Sequence, residues 1–179
     1  NGRHQIVNAV LAATSLISCS QFGIGIDYIK EAIASTNWQG RLEKINKGNI
    51  QKHISNSTEV WIDGGHNIAG AKAIKKWAQE GKVKKIILVC GFLKNKDAKT
   101  ILLILKNIIN YIVFVPLQNN KNCYSVNELT SIAKTLDLKS YIKSSVKEAL
   151  YSDLIIPKSK VLIFGSLYLV GEVLNLDKS

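Results

Sequence analysis

The chain has 179 residues, of which 46% are hydrophobic, and a formal net charge of +11. That is enough for one good domain with a small piece of another, and the composition is that of an ordinary globular protein rather than a disordered or fibrous one. A bilayer span is excluded, because no uninterrupted apolar run reaches the roughly 18 residues required; Val7 to Leu16 and Ile101 to Ile109 are both broken by polar residues. No signal-peptide layout opens the chain, and with no methionine at all it reads as a piece of something longer. The three cysteines, Cys19, Cys90 and Cys123, are odd in number and lack metal-type spacing, so they read as reduced thiols of a cytoplasmic protein. Nucleic-acid binding would call for clustered basic residues interleaved with aromatics. Here lysines are spread through nearly every segment, with Lys82, Lys84 and Lys85 the tightest group, which favours solvated faces while leaving polyanionic substrates compatible.

Taken in chain order, apolar spacing predicts helices over Ile6–Ser18 and Asp27–Ala34. Trp38 to Arg41 is a turn carrying Gly40, and Arg41–Ile45 has the composition of a short strand. Asn46 to Thr58 is polar and reads as a loop or hairpin connection. From Glu59 strands and helices alternate: strand Glu59–Asp63, helix Ile68–Glu80 ending at Gly81, strand Lys85–Cys90, helix Ala98–Ile109, and strand Tyr111–Val115 ending at Pro116. Helix Val126–Leu136 follows, then a strand near Ser140–Ile142, helix Ser145–Tyr151, strand Lys160–Phe164 and a final helix over Leu167–Leu174. The fold class is therefore α/β, a Rossmann-like, mostly parallel sheet with helices on both faces. Ligands of such sheets gather at the carboxyl ends of the strands. The turns Asp63–Asn67, Gly91–Asp97 and Gly165–Ser166 are then neighbours on one rim.

Asp63-Gly64-Gly65-His66-Asn67 is the most informative stretch. Its glycines allow positive φ and close backbone approach, and the amides opening the next helix carry partial positive charge. Such a corner suits a phosphate or a carboxylate. The plainer alternative is a strand–turn–helix corner with Asn67 as its N-cap.

Five segments together resemble the carboxyl-terminal part of folylpolyglutamate synthase/dihydrofolate synthase, an amide-ligase family of the Mur ligase superfamily. They are His4-Gln5-Ile6-Val7-Asn8-Ala9, Trp38-Gln39-Gly40-Arg41-Leu42-Glu43, the Asp63–Asn67 turn, Lys94-Asn95-Lys96-Asp97, and Gly165-Ser166-Leu167-Tyr168-Leu169-Val170-Gly171-Glu172-Val173. Two positions depart from the family pattern, Gln39 where proline is usual and Gly65 where alanine is usual. The resemblance implies a Mur ligase C-terminal domain over 38–179, preceded by terminal helices of the central ATPase domain over 1–37. It implies an ATP-dependent ligase of folate biosynthesis and one-carbon metabolism, which joins L-glutamate to dihydropteroate or folate through an acyl phosphate.

Site roles follow from the resemblance only where its motifs match. Asn8, Arg41 and Asp63 would contact ATP, and Arg41 offers a planar fork suited to phosphate. His66 would be the catalytic residue and, with Lys96, Asp97 and Ser166, would hold the incoming glutamate. All but Asp97 have an ordinary alternative: a helix-surface amide for Asn8, one exposed arginine among 24 basic residues for Arg41, a strand-end cap for Asp63, a structural turn histidine for His66, a solvated lysine for Lys96 and an N-cap for Ser166. The chain carries no Gly-x-x-x-x-Gly-Lys-Ser/Thr phosphate loop and no evident magnesium carboxylates, so Mg2+ ligands are expected outside it. The expectation is a monomer that works with a P-loop domain in the same or a companion chain and is inactive alone. A freestanding nucleotide- or amino-acid-binding module is the alternative, with a basic nucleic-acid-binding protein third.

Overall fold

The structure is a computed structural model that describes residues 3–36, 38–46, 48–81, 85–118 and 120–178. Lys82 and Lys84 of the tightest basic group lie outside the described residues. The chain divides into two compact units, Asn1–Gln39 and Gly40–Ser179.

The first unit holds helix α1 (Arg3–Ser18), a 3-10 turn at Ser20–Phe22 and helix α2 (Ile26–Ser35). Among its described residues only Ile29 is a buried apolar side chain, whereas Ile6, Val7, Val10, Leu11, Phe22, Ile26 and Tyr28 are each more than half exposed. The two helices therefore carry apolar surface that their own packing leaves in contact with solvent.

The second unit is a six-stranded sheet. In chain order its elements are β1 (Glu43–Ile45), α3 (Asn49–His53), β2 (Glu59–Asp63), α4 (Ile68–Glu80), β3 (Ile86–Cys90), α5 (Ala98–Leu105), β4 (Ile109–Phe114), α6 (Val126–Thr135), β5 (Ser140–Ile142), α7 (Val146–Leu150), β6 (Lys160–Phe164) and α8 (Leu167–Lys178). The strand order is β1-β2-β6-β3-β4-β5. Among the described strands only β1 runs antiparallel to its neighbour.

Strand β3, Ile-Ile-Leu-Val-Cys, is buried along its whole length, as a central parallel strand covered on both faces must be. One core lies between the sheet and α4, α5 and α6, and the other between the sheet and α3, α7 and α8. Helix starts follow side-chain chemistry. Asn67 caps α4 by accepting from the Gly70 amide, Asp97 caps α5 through Thr100, and Ser125 with Glu128 forms a reciprocal capping box on α6.

The α/β architecture and the strand–helix alternation are as the sequence predicts, with local differences. Residues 46–58 contain a helix, α3, because the Asp177 carboxylate at the end of α8 accepts from the Ile50 amide at 3.1 Å and satisfies its start. The predicted helix to Ile109 ends at Leu105 and tightens into a 3-10 turn over Lys106–Ile108, so β4 begins at Ile109. The last helix continues to Lys178.

At the far end of the sheet from the candidate site, Glu59 bridges two strands. It meets Lys44 at 2.6 Å and Lys160 at 2.7 Å, and the Trp61 indole N–H donates to it at 3.3 Å. The hydrogen bond from Lys160, then that from Lys44, pulls its carboxyl from 4.5 down to about 2. A depressed folded-state value means stability that is fully present above pH 4.5 and is lost as pH falls toward 2. Urea unfolding of wild type and Glu59→Gln across that window should converge as the pH falls; parallel curves would remove Glu59 from the account.

Candidate functional site

The rim is assembled by glycine. Strand β6 sits between β2 and β3, so the turns after these three strands are adjacent, at the point where the chain order of the strands reverses. Gly64 N–H donates to Gly40 O at 2.8 Å, and Gly165 N–H donates to Gly65 O at 3.0 Å. These two bonds stitch the turn before β1, the Asp63–Asn67 corner and the Gly165–Ser166 turn into one edge.

Positive φ is needed at Gly40 (+70°) and Gly165 (+107°), but neither Gly64 nor Gly65 adopts it. Their glycines serve close approach instead. A Cβ on Gly64 would lie 2.3 Å from the Leu167 Cδ2, and one on Gly65 would lie 2.7 Å from both Asp63 Oδ1 and Phe164 Cε2. The alanine usual in the resembled family at position 65 would thus collide with a buried carboxylate and a buried ring here.

The corner satisfies much of its own polarity. Asp63 is 5% exposed and accepts from the Gly65 amide at 2.6 Å. Asn67 Oδ1 accepts from Gly70 N–H at 2.8 Å, so Asn67 is the N-cap of α4. His66 Nδ1 lies 2.9 Å from Gly64 O. A carbonyl only accepts, so that bond puts the proton on Nδ1 and leaves Nε2 as the ring's acceptor when neutral.

Beside the corner lies a cleft of about 110 Å³ lined by His66, Leu93, Lys96, Gly165, Ser166, Leu167 and Tyr168. A water's share of liquid is about 30 Å³, so this cleft has room for a carboxylate-sized group. A nucleotide, which needs roughly 300 Å³ or more, would have to lie across the outer rim. The Ser166 side chain is 3% exposed, and its Oγ accepts from the Tyr168 amide at 3.1 Å. It is thus a cap for α8 and a wall of the cleft at once. Arg41 is half-buried, with its Nη1 3.6 Å from the place a Gly64 Cβ would occupy. Among the described residues neither the Arg41 guanidinium nor the Lys96 ammonium has a hydrogen-bond or ion-pair partner.

The structure therefore brings Arg41, Asp63, His66, Lys96 and Ser166 to one edge. Asp97 does not line the cleft. Its exposed carboxylate caps α5, and the Thr100 amide holds it below its ordinary value. Asn8 is exposed on α1 in the other unit, and the His4 and Gln5 side chains lie outside the described residues. Sequence reasoning missed Leu93 and passed over Leu167 and Tyr168 inside a motif it had already quoted. It also missed Leu42, at φ +50° and 5% exposed, a non-glycine in left-handed backbone within the Trp38–Glu43 motif. Burying a leucine contributes about 1.5–3 kcal/mol, which offsets the roughly 1–2 kcal/mol that such a φ costs.

No group of three or more His, Cys, Asp or Glu among the described residues is placed to hold a metal ion, and no helix there is long and apolar enough to cross a membrane.

A mostly parallel sheet with helices on both faces and a polar corner at its switch point defines a Rossmann-like domain with the Mur ligase C-terminal fold. Residues 46–176 match the family described as dihydrofolate synthetase, C-terminal domain, and the chain belongs to it. A folylpolyglutamate synthase of Mycobacterium tuberculosis, solved in complex with ADP and AMPPCP, superposes with a TM-score of 0.77 at 23% identity, over 100% of this chain and 41% of that one. The folylpolyglutamate synthase of Thermotoga maritima gives 0.70 at 25% identity, over 99% of this chain and 39% of that one. UDP-N-acetylmuramoyl-L-alanyl-D-glutamate--L-lysine ligase of Streptococcus sanguinis is 30% identical over 95 residues, 53% of this chain and 18% of the ligase. The chain thus spans well under half the length of each of these relatives.

Proposed function

We propose that this chain is the carboxyl-terminal part of an ATP-dependent carboxylate–amine ligase that joins L-glutamate to dihydropteroate or a folate through an acyl phosphate. One observation carries the reading: a cationic fork over Gly64 and a carboxylate-sized cleft sit on the same glycine-stitched edge. The class needs both, because ATP phosphates and an amino acid must meet.

In this reading the Arg41 guanidinium meets the phosphates on the outer rim, where two parallel N–H donors match a phosphate's oxygens. Asp63 holds the corner through the Gly65 amide and faces the nucleotide. Lys96 and Ser166 receive a glutamate carboxylate in the cleft, and Leu93, Leu167 and Tyr168 shield it from water. His66 offers Nε2 to the glutamate ammonium and orients it, or takes its proton, as the amine attacks. Asp97 acts behind Lys96 by fixing the start of α5. ATP would supply the activation: its terminal phosphoryl group would pass to the acceptor carboxylate with ADP as leaving group, and phosphate would leave as the amine forms the amide. Closing such an edge over the reactants aligns them and excludes water from that hydrolysable intermediate.

Among the described residues no group of three or more His, Cys, Asp or Glu is placed to hold Mg2+. Its ligands and the phosphate loop belong, in this proposal, to a preceding portion in the same or a companion chain. Residues 1–37 would be the last helices of that central domain.

The test is direct. Purified chain with ATP, Mg2+, dihydropteroate and glutamate should release no ADP in a glutamate-dependent way. Adding a polypeptide that bears the matching P-loop portion should restore release. Glutamate-dependent ADP release by the chain alone would refute the claim that it is inactive by itself.

A further inference from the structure

The Trp38–Glu43 segment supplies Arg41, but how that side chain is aimed depends on its neighbours. Gly40 N–H donates to Glu43 Oε2 at 2.7 Å. Gly40 O in turn accepts from Gly64 N–H at 2.8 Å. The peptide groups flanking Gly40 are therefore held from both sides, one by a carboxylate and one by the corner. Glu43 is the first residue of β1 and pairs with Ile62 in β2, next to Asp63. Its backbone is thus anchored in the sheet while its side chain reaches back three residues. Between the two ends Leu42 is forced to φ +50° and Gly40 to +70°. A Cβ on Gly40 would lie 2.4 Å from Val170 Cγ1, so α8 leaves the turn no room to relax outward. Strained backbone of this kind persists only when its surroundings over-determine it.

We propose that Glu43 is a positioning residue for Arg41: its carboxylate holds the Gly40 amide, locks the strained turn against Gly64, and so keeps the Arg41 guanidinium over the corner. The proposal deepens the reading of Arg41 as a phosphate contact and rests on it for its functional consequence. Glu43 touches no substrate. It acts by removing the freedom that a long arginine side chain on an open turn would otherwise have, so that less order must be imposed when an anion binds.

The experiment uses the full chain as wild type, Glu43→Ala, Glu43→Gln and Arg41→Ala. Amide exchange at Gly40 and Gly64 and the Nε–H relaxation of Arg41 are read by NMR, and ADP binding is read on the same variants in the complete, P-loop-supplied enzyme. Glu43→Ala should speed exchange at both amides about ten- to hundredfold, the scale of a lost hydrogen bond to a charged group, and should loosen the Arg41 Nε–H. Glu43→Gln keeps an acceptor oxygen and should restore protection at both amides together with Arg41 order. Unchanged exchange at Gly64 and unchanged Arg41 relaxation in Glu43→Ala would overturn the proposal. So would a loss of overall stability that Glu43→Gln shares. ADP separates the two claims. If Arg41→Ala binds ADP as wild type does, the phosphate role of Arg41 fails while the exchange result still decides the positioning role. If Arg41→Ala weakens ADP binding and Glu43→Ala does not, the positioning role fails alone.

Discussion

Gly165→Ala is expected to destabilise the sheet unit by about 2–6 kcal/mol. Its φ of +107° lies where an L side chain is strained, which costs roughly 1–3 kcal/mol. The added Cβ would also sit 2.7 Å from Phe92 Cε1 and 2.8 Å from Gly91 O. Phe92 is fully buried, and Gly91 O belongs to the neighbouring turn, so neither can yield without moving the rim; overpacking of this kind adds about 1–3 kcal/mol. A typical domain has only about 5–15 kcal/mol to lose. Gly171→Ala is the matched control. That glycine lies within α8, and nothing within 4 Å meets its Cβ, so the substitution should stabilise by about 0.5–1 kcal/mol. Urea titrations should show opposite shifts in midpoint at unchanged slope. Equal shifts for the two variants would mean that glycine at the rim is not there for geometry.

The same contrast separates what the sequence makes legible from what only packing decides. The β2–α4 corner could be read because all its signals are local: an apolar run into a polar turn, with Asn67 three residues before the amide it caps. The adjacency of the three rim turns could be read because parallel strands all present their carboxyl ends on one side. By contrast, α3 is a five-residue helix whose start is satisfied by Asp177, 127 residues away in sequence, and no local pattern carries such a partner. The glycine pair at 64 and 65 allows two readings in the sequence, positive φ and close backbone approach; positive φ would be a property of its own backbone, and only close approach holds. The cause is the Leu167, Asp63 and Phe164 atoms packed around it, and two of those three residues come from elsewhere in the chain. Leu42 in left-handed backbone was hidden for the same reason. Its burial and the Gly40–Glu43–Gly64 bonds impose the conformation, while its own preference opposes it.

Arg41→Ala is expected to weaken ADP binding by the complete, P-loop-supplied enzyme about 10- to 100-fold, the range of a lost hydrogen bond between a charged donor and its acceptor. Stability should change by less than about 0.5 kcal/mol, because the guanidinium has no hydrogen bond or ion pair among the described residues to lose. That pairing of outcomes is the informative part. A residue kept for packing would move the unfolding midpoint, whereas one kept for an anion moves only the titration. Arg41→Lys restores the charge but not the fork, so it should recover part of the affinity and bring a steeper dependence on salt, as expected of a point charge. Full recovery by lysine would mean that the rim attracts phosphate through net charge alone. The strained turn at Leu42 would then have no directional task, since a point charge needs none of the aim that the turn provides.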